Sequence, residues 1–237
     1  MMRVVEPELL DSLPPEHPDA SGSRKDLRRL NAWMGNVRIL TTALLRLFPM
    51  EPPADLVEIG SGDGSFLAEV ARRLPREWRG TRAILLDRSA NVSAAACGSL
   101  EQSGWNAVAI QKDVFEWLEE SPEPRCGAIL CNLFLHHFSD DQLIRLLEKT
   151  ATRANRFVAV EPRRGRAGLW SSRLVGCIGC NRITRHDAPA SVRAGFQNLE
   201  LSELWPDAAG WQIEERPAGW CSHLFVARRI SRNGSGE

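Results

Sequence analysis

The sequence has no net charge: 30 lysines and arginines balance 30 aspartates and glutamates across 237 residues. Affinity for nucleic acid depends heavily on neutralising phosphates, so this balance counts against a large polyanionic partner and leaves room only for a local basic patch. No apolar run approaches the ~20 residues that a membrane-spanning helix requires. The opening residues Met1-Met2-Arg3-Val4-Val5-Glu6-Pro7 lack the cationic stretch and apolar run of a secretory signal. Internal repeats and low-complexity tracts are absent as well. Six cysteines are scattered through the chain without secretory context, which predicts reduced thiols. Cys177 and Cys180 form the one close pair. A zinc site would need two further ligands at suitable spacing, and a redox pair would open a helix after a strand, so neither metal nor redox chemistry is expected there. The expectation is a soluble cytoplasmic protein with no membrane span.

With 43% hydrophobic and 25% charged residues, the chain can bury one substantial α/β core, and residues 1–237 read as a single domain. The first residues, through Ser23, carry Pro7, Pro14, Pro15 and Pro18 and read as surface chain without regular structure. Ser23 and Asp26 then resemble a capping box, followed by a helical stripe from Leu27 to Leu47, so one N-terminal helix is expected over 24–48. Pro49, Pro52 and Pro53 end it.

From Ala54 onward, short apolar strands alternate with amphipathic helices. Strands are expected at Leu56–Ile59, Ala83–Asp87, Val108–Ile110, Gly127–Asn132 and Arg156–Glu161, with Ser139 and Gln142 forming a capping box for the helix after the fourth. Such alternation over 54–161 predicts a mostly parallel sheet with helices on both faces. Residues 162–200 break the pattern and read as an insertion. Two closing strands over 210–229 complete a seven-stranded sheet whose last strand runs antiparallel.

The strongest local signal is Glu58-Ile59-Gly60-Ser61-Gly62-Asp63-Gly64, directly after the first strand. Parallel sheets bind ligands beyond the carboxyl ends of their strands, and glycines there let the backbone turn tightly and approach a ligand. Three alternate glycines exceed what a simple turn needs. The dinucleotide fingerprint would place its third glycine at Ser65, whereas here it falls one place earlier, at Gly64. Glu58 would sit poorly beside a pyrophosphate but suits an amino group. The Walker pattern fails, since no Gly-Lys-Ser/Thr follows.

In these residues the chain resembles the class I S-adenosylmethionine-dependent methyltransferases, whose first motif reads acidic-x-Gly-x-Gly-x-Gly. More loosely, Leu27–Trp33, Arg185–Phe196 and the His136-His137 segment resemble bacterial enzymes acting on phenolic and quinone-like metabolites. The class I resemblance covers Leu56 to Glu161 in motif order. It implies a Rossmann-like three-layer α/β sandwich with S-adenosyl-L-methionine as cofactor. It implies that Glu58 supports the methionine end, that Gly60, Gly62 and Gly64 floor the site, and that Asp87, with Arg88 after it, meets the ribose. Asp113 and the Val114 backbone would meet the adenine, and the backbone near Asn132 the methionine amine. The N-terminal helix and the 162–200 insertion would form a lid over the acceptor.

The sulfonium is already an activated donor, so alignment does most of the work, and a base assists where the acceptor is a hydroxyl. Histidine suits that task at neutral pH. His136 and His137 follow the fourth strand. His186 has Asp187 beside it, which would either orient the ring or cap a helix. Trp33, Met34, Trp170 and Phe196 are candidates for an aromatic pocket. Methylation of nucleic-acid bases is disfavoured, since the segment from Asn132 lacks the Pro-Pro of enzymes acting on exocyclic amines. Short arginine runs such as Arg163, Arg164 and Arg166 usually form solvated loops. The expected activity is methyl transfer to a small-molecule acceptor by a monomer or homodimer. The alternatives are a nicotinamide-dependent oxidoreductase and a non-catalytic cofactor-binding relative.

Overall fold

A computed structural model describes residues 1–14, 17–120 and 125–230. The core sheet has seven strands: β1 (Asp55–Ile59), β2 (Arg82–Asp87), β3 (Asn106–Gln111), β4 (Ala128–Asn132), β5 (Arg156–Pro162), β6 (Trp211–Ala218) and β7 (Ser222–Arg229). Their order is β3-β2-β1-β4-β5-β7-β6. Strands β1 to β5 are parallel, whereas β7 runs antiparallel to both its neighbours. The seven strands and the antiparallel last strand agree with the expectation. The order reverses between β1 and β4, so the carboxyl ends of these two strands diverge and leave a crevice.

The inner strands β1, β2, β4, β5 and β7 are largely apolar because both faces are covered, whereas the edge strands β3 and β6 are partly exposed. Successive side chains alternate sides. Leu56, Leu85, Leu130 and Val158 join one core cluster with α3 (Asn36–Leu47), α4 (Ser65–Ala71) and α5 (Ala94–Gln102). Val57, Ile84, Ile129 and Phe157 join the other with α6 (Val114–Glu119), α7 (Asp140–Arg153) and α10 (Glu200–Leu204). The result is a three-layer, Rossmann-like sandwich. Helix α7 starts at the capping box read from the sequence, with the Ser139 and Gln142 side chains each accepting the other's backbone N–H.

The N-terminal region departs from expectation in three respects. The stretch before Ser23 is not irregular: it holds α1 (Leu9–Ser12) and the first turns of α2 (Pro18–Met34). Pro18 sits at the first helical position, where its missing N–H costs nothing. Ser23 therefore lies inside α2, and the cap is His17, whose ring accepts the Asp19 N–H at 3.2 Å. Finally, the single helix expected over 24–48 is two, because Gly35 adopts φ 73° and separates α2 from α3. A left-handed glycine ends a helix at little cost, and the periodic stripe continues across it because both helices face the core.

Between β5 and β6 lie α8 (Arg166–Arg173) and α9 (Arg182–Ala194), with α10 after them. Arg164 is not a solvated loop residue. It is buried, donating to the Gly195 carbonyl at 2.6 Å and the Met1 carbonyl at 2.9 Å and pairing with Glu200. No helix among the described residues is long and apolar enough to cross a membrane.

Candidate active site

The crevice at the ends of β1 and β4 opens into a cavity of about 560 Å³, within the range of small-molecule sites. Its floor is the glycine loop, and all three glycines have positive φ: 67° at Gly60, 54° at Gly62 and 76° at Gly64. Their environments differ. A Cβ on Gly60 would lie 2.1 Å from the Phe134 ring, and one on Gly64 would press on Leu85 at 3.0 Å and Ala96 at 3.2 Å. Gly64 thus allows helix and strand to pack closely, the role the dinucleotide fingerprint gives to a glycine one place later. Gly62 has nothing within 4 Å of such a Cβ and lines the cavity. Gly60→Ala is therefore expected to cost about 3 kcal/mol and lower Tm by ~10 °C. Gly62→Ala should cost about 1 kcal/mol. Thermal denaturation of the two variants checks this, and equal losses would remove the Phe134 contact from the account.

Carboxylates cluster around this loop. Asp87, at the end of β2, accepts the Gly62 N–H at 2.8 Å and the Ser89 N–H at 2.9 Å, which fixes its two oxygens at the cavity wall. Asp63 accepts the Ser65 N–H at 3.0 Å and pairs with Arg28 of α2 at 2.5 Å. Glu58 is buried, and its Oε2 has no hydrogen-bond partner among the described residues. Burial, followed by the charges of Asp63 and Asp87, holds the Glu58 carboxyl well above the usual carboxylate range. An acidic, under-satisfied corner of this kind favours a cationic ligand group and opposes a phosphate. Asp113 lines the cavity and caps α6, accepting the Phe115 N–H at 2.8 Å. Arg88, Val114 and Asn132 also face the cavity.

The Asn132 side chain is committed to other asparagines. It donates to Asn31 Oδ1 at 2.9 Å and accepts from Asn36 at 2.9 Å. Asn36 also donates to Asn31 and accepts from Ser222, so both helices flanking Gly35 are tied to the ends of β4 and β7. After Asn132 the chain turns through Leu133, a non-glycine residue at φ 52°, whose N–H reaches the Val160 carbonyl at 2.9 Å. Such a conformation costs about 1–2 kcal/mol, and it brings Phe134 down onto Gly60.

Beyond that turn, Glu161 forms a buried polar centre. It is fully inaccessible and accepts the N–H groups of Phe134 at 2.9 Å and Leu135 at 2.8 Å on one oxygen. Its other oxygen meets His136 Nδ1 at 2.8 Å. The opposite nitrogen of His136 lies 3.4 Å from Glu8, in the N-terminal segment before α1. Burial alone would push the imidazole down, but the hydrogen bonds and charges of Glu161 and Glu8 outweigh it and raise His136 to about 9. Both glutamates stay below their ordinary value despite burial, chiefly through hydrogen bonds to His136.

The three histidines singled out from sequence are thus in different situations. His136 is buried and clamped between two carboxylates. His137 lines the cavity, with its ring 4.3 Å from that of His136. His186 does meet Asp187, at 3.0 Å, but its ring is 59% exposed and lies outside the cavity wall. Asp187 is turned to another task, accepting the N–H groups of Leu9 and Leu10 at the start of α1. Of the four aromatic-pocket candidates, Trp33 and Met34 line the cavity. Phe196 is core, and Trp170 stands exposed on the outer surface, because the inner side of α8 is built from small residues. Residues that sequence reasoning passed over include Glu8, Asn31, Asn36, Leu133 and Glu161. Only Glu161 carried a signal, as a carboxylate closing an apolar strand.

A family model described as a methyltransferase domain matches residues 30–216, most of the chain. The chain belongs to this methyltransferase family. No curated protein matches the sequence. Among solved structures it is similar to an O-methyltransferase family protein from Burkholderia thailandensis (15% identity, TM-score 0.61, covering 94% of this chain and 64% of that one). It is also similar to N,N-8-amino-8-demethyl-D-riboflavin dimethyltransferase from Streptomyces davawensis (19%, TM-score 0.59, 94% and 62%). A third is an O-methyltransferase family 2 protein from Planctomyces limnophilus in complex with apigenin (18%, TM-score 0.58, 90% and 62%). At these identities the likeness is one of fold, and the methyltransferase chain spans less than two thirds of these neighbours' length.

Proposed function

We propose that this methyltransferase transfers the methyl group of S-adenosyl-L-methionine to a hydroxyl of a phenolic or quinone-like small molecule. The observation that carries the cofactor reading is the acidic corner at the glycine loop, with Glu58 Oε2 buried and unpartnered. The ammonium and sulfonium of this cofactor are cations, whereas a dinucleotide would bring two phosphate charges towards Asp63 and Asp87. When bound, the cofactor supplies an activated methyl group.

The protein's own residues do the rest. Asp87, preset by the Gly62 and Ser89 amides, accepts from the ribose hydroxyls, and Asp113 with the Val114 backbone receives the adenine. Glu58 and the chain at Asn132 hold the methionine end. His137, on the cavity wall, takes the hydroxyl proton of the acceptor. His136, held by Glu161 and Glu8, keeps the His137 loop and the N-terminal segment in place. The helices α2, α8 and α9 border the cavity and act as its lid. The phenolic reading rests on the fold likeness to O-methyltransferase family structures, one of them holding apigenin, and on Trp33 and Met34 in the wall.

Isothermal titration with S-adenosylhomocysteine and with NAD tests the cofactor. Micromolar binding of the first and none of the second is expected, and the reverse would overturn the reading. For the acceptor, a panel of phenols and hydroquinones with labelled cofactor is expected to yield methylated product, and His137→Ala should slow turnover by about a hundredfold while cofactor affinity stays unchanged.

A further inference from the structure

Helix α8 turns Trp170 outward and half-buries Leu169. Its buried residues are Gly168 and Ser172, whereas Trp170 is 69% exposed. The small inward residues follow from close packing: a Cβ on Gly168 would lie 2.8 Å from the Arg163 carbonyl and 3.1 Å from Val192 of α9. Just beyond α8, Leu174 and then Ile178, which closes the 3-10 turn Val175–Ile178, are 57% and 42% exposed. Arginines flank this stripe. From residue 163 to 186 the chain has six arginines and no acidic residue, although the protein as a whole is neutral. Of these, Arg163, Arg166, Arg173 and Arg185 are exposed and have no ion pair among the described residues. The inner side of the same segment, at Gly168, Ser171, Ser172 and Val175, lines the cavity, so the stripe lies on the outer wall of the site.

We propose that the face bearing Arg166, Trp170, Arg173, Leu174 and Ile178 docks on the surface of an anionic lipid bilayer. Tryptophan and aliphatic side chains flanked by arginine suit the boundary between headgroups and acyl chains, and the cationic surplus complements an acidic leaflet. A second copy of the chain is a poorer occupant, since a two-fold contact through this face would bring its unpaired arginines together. Docking in this way turns the cavity wall towards the bilayer, where a lipophilic acceptor is concentrated. That consequence rests on the acceptor reading above, while the docking itself does not.

The test is co-sedimentation of the full chain with vesicles of equimolar phosphatidylglycerol and phosphatidylcholine, and with vesicles of phosphatidylcholine alone. Binding to the anionic vesicles is expected, falling about tenfold without phosphatidylglycerol and falling again at high salt. The double variants Trp170→Ser/Leu174→Ser and Arg166→Glu/Arg173→Glu should each lose about tenfold in partitioning. All four positions are exposed, and circular-dichroism melts matching the wild type separate lost docking from lost folding. If one variant melts early, the other carries the comparison. Failure of the wild type to sediment with anionic vesicles, or equal binding by well-folded variants, overturns the proposal. A dimer in the absence of lipid that Trp170→Ser/Leu174→Ser dissociates, without vesicle binding, overturns it in favour of a contact between copies. Because the readout is lipid binding, failure here leaves the methyl-transfer reading standing, and failure of cofactor binding leaves this one standing.

Discussion

Glu161→Ala is expected to destabilise the protein by about 3–5 kcal/mol and to lower Tm by ~10–15 °C, the largest stability effect of any single polar substitution considered. The carboxylate is fully buried and accepts from Phe134 N, Leu135 N and His136 Nδ1. Its removal leaves three buried donors unsatisfied and the His136 imidazolium facing Glu8 alone. Glu161→Gln preserves an acceptor for the amides but removes the charge, so about half the loss is expected. The same contact predicts a pH dependence. His136 is raised from its ordinary 6.5 to about 9, so its contribution is complete below 6.5 and fades as pH rises through 9. Glu8 and Glu161 are lowered, so on the acid side the contact fails as pH falls through their depressed values. Urea denaturation at pH 6 and pH 9 checks the basic limb. The wild type should lose about 2 kcal/mol more than Glu161→Gln over that interval. Parallel losses would mean that His136 is not charged in the folded protein.

The second large effect is on the cofactor. Asp87→Ala is expected to weaken S-adenosylhomocysteine binding by about a hundredfold, the loss of two hydrogen bonds from hydroxyls to a charged acceptor at about 1.5 kcal/mol each. Because Asp87 also holds the Gly62 and Ser89 amides, the glycine loop loosens as well. Asp87→Asn keeps one acceptor for the loop and should recover part of the affinity. Titration calorimetry checks this, and unchanged affinity in the alanine variant would place the ribose elsewhere.

The sheet was legible in the sequence because its strands are short, apolar and separated by glycine, proline and cap residues, all local signals. The capping box at Ser139 and the glycine loop were legible for the same reason. The N-terminal helices were misread where two local signals competed. Pro18 looked like loop but opens a helix, and Gly35 breaks a stripe whose periodicity runs on unchanged. Motif order singled out Glu58, Gly60, Gly62, Gly64, Asp87 and Asp113; of these, Glu58, Gly60, Gly62, Asp87 and Asp113 line one cavity with Arg88, Val114 and Asn132, whereas Gly64 packs against Leu85 and Ala96. Among the histidines, the sequence marked His186 by its neighbour Asp187, whereas the fold leaves that ring exposed, sets His137 on the cavity wall and clamps His136 between Glu161 and Glu8, which are distant in the chain.

The glycine loop, its three alternate glycines and the acidic residues at the strand ends were determined by the sequence alone, since each depends on backbone conformation and neighbours within a few residues. The tertiary structure decided what those residues face. Crossing β5 beside β4 puts Glu161 under His136, and folding α2 and α3 back over β4 binds Asn132 to Asn31 and Asn36. Packing α8 on α9 through Gly168 and Ser172 turns Trp170 to solvent instead of into the acceptor space. These outcomes depend on contacts between segments far apart in the chain, and local pattern carries no information about them.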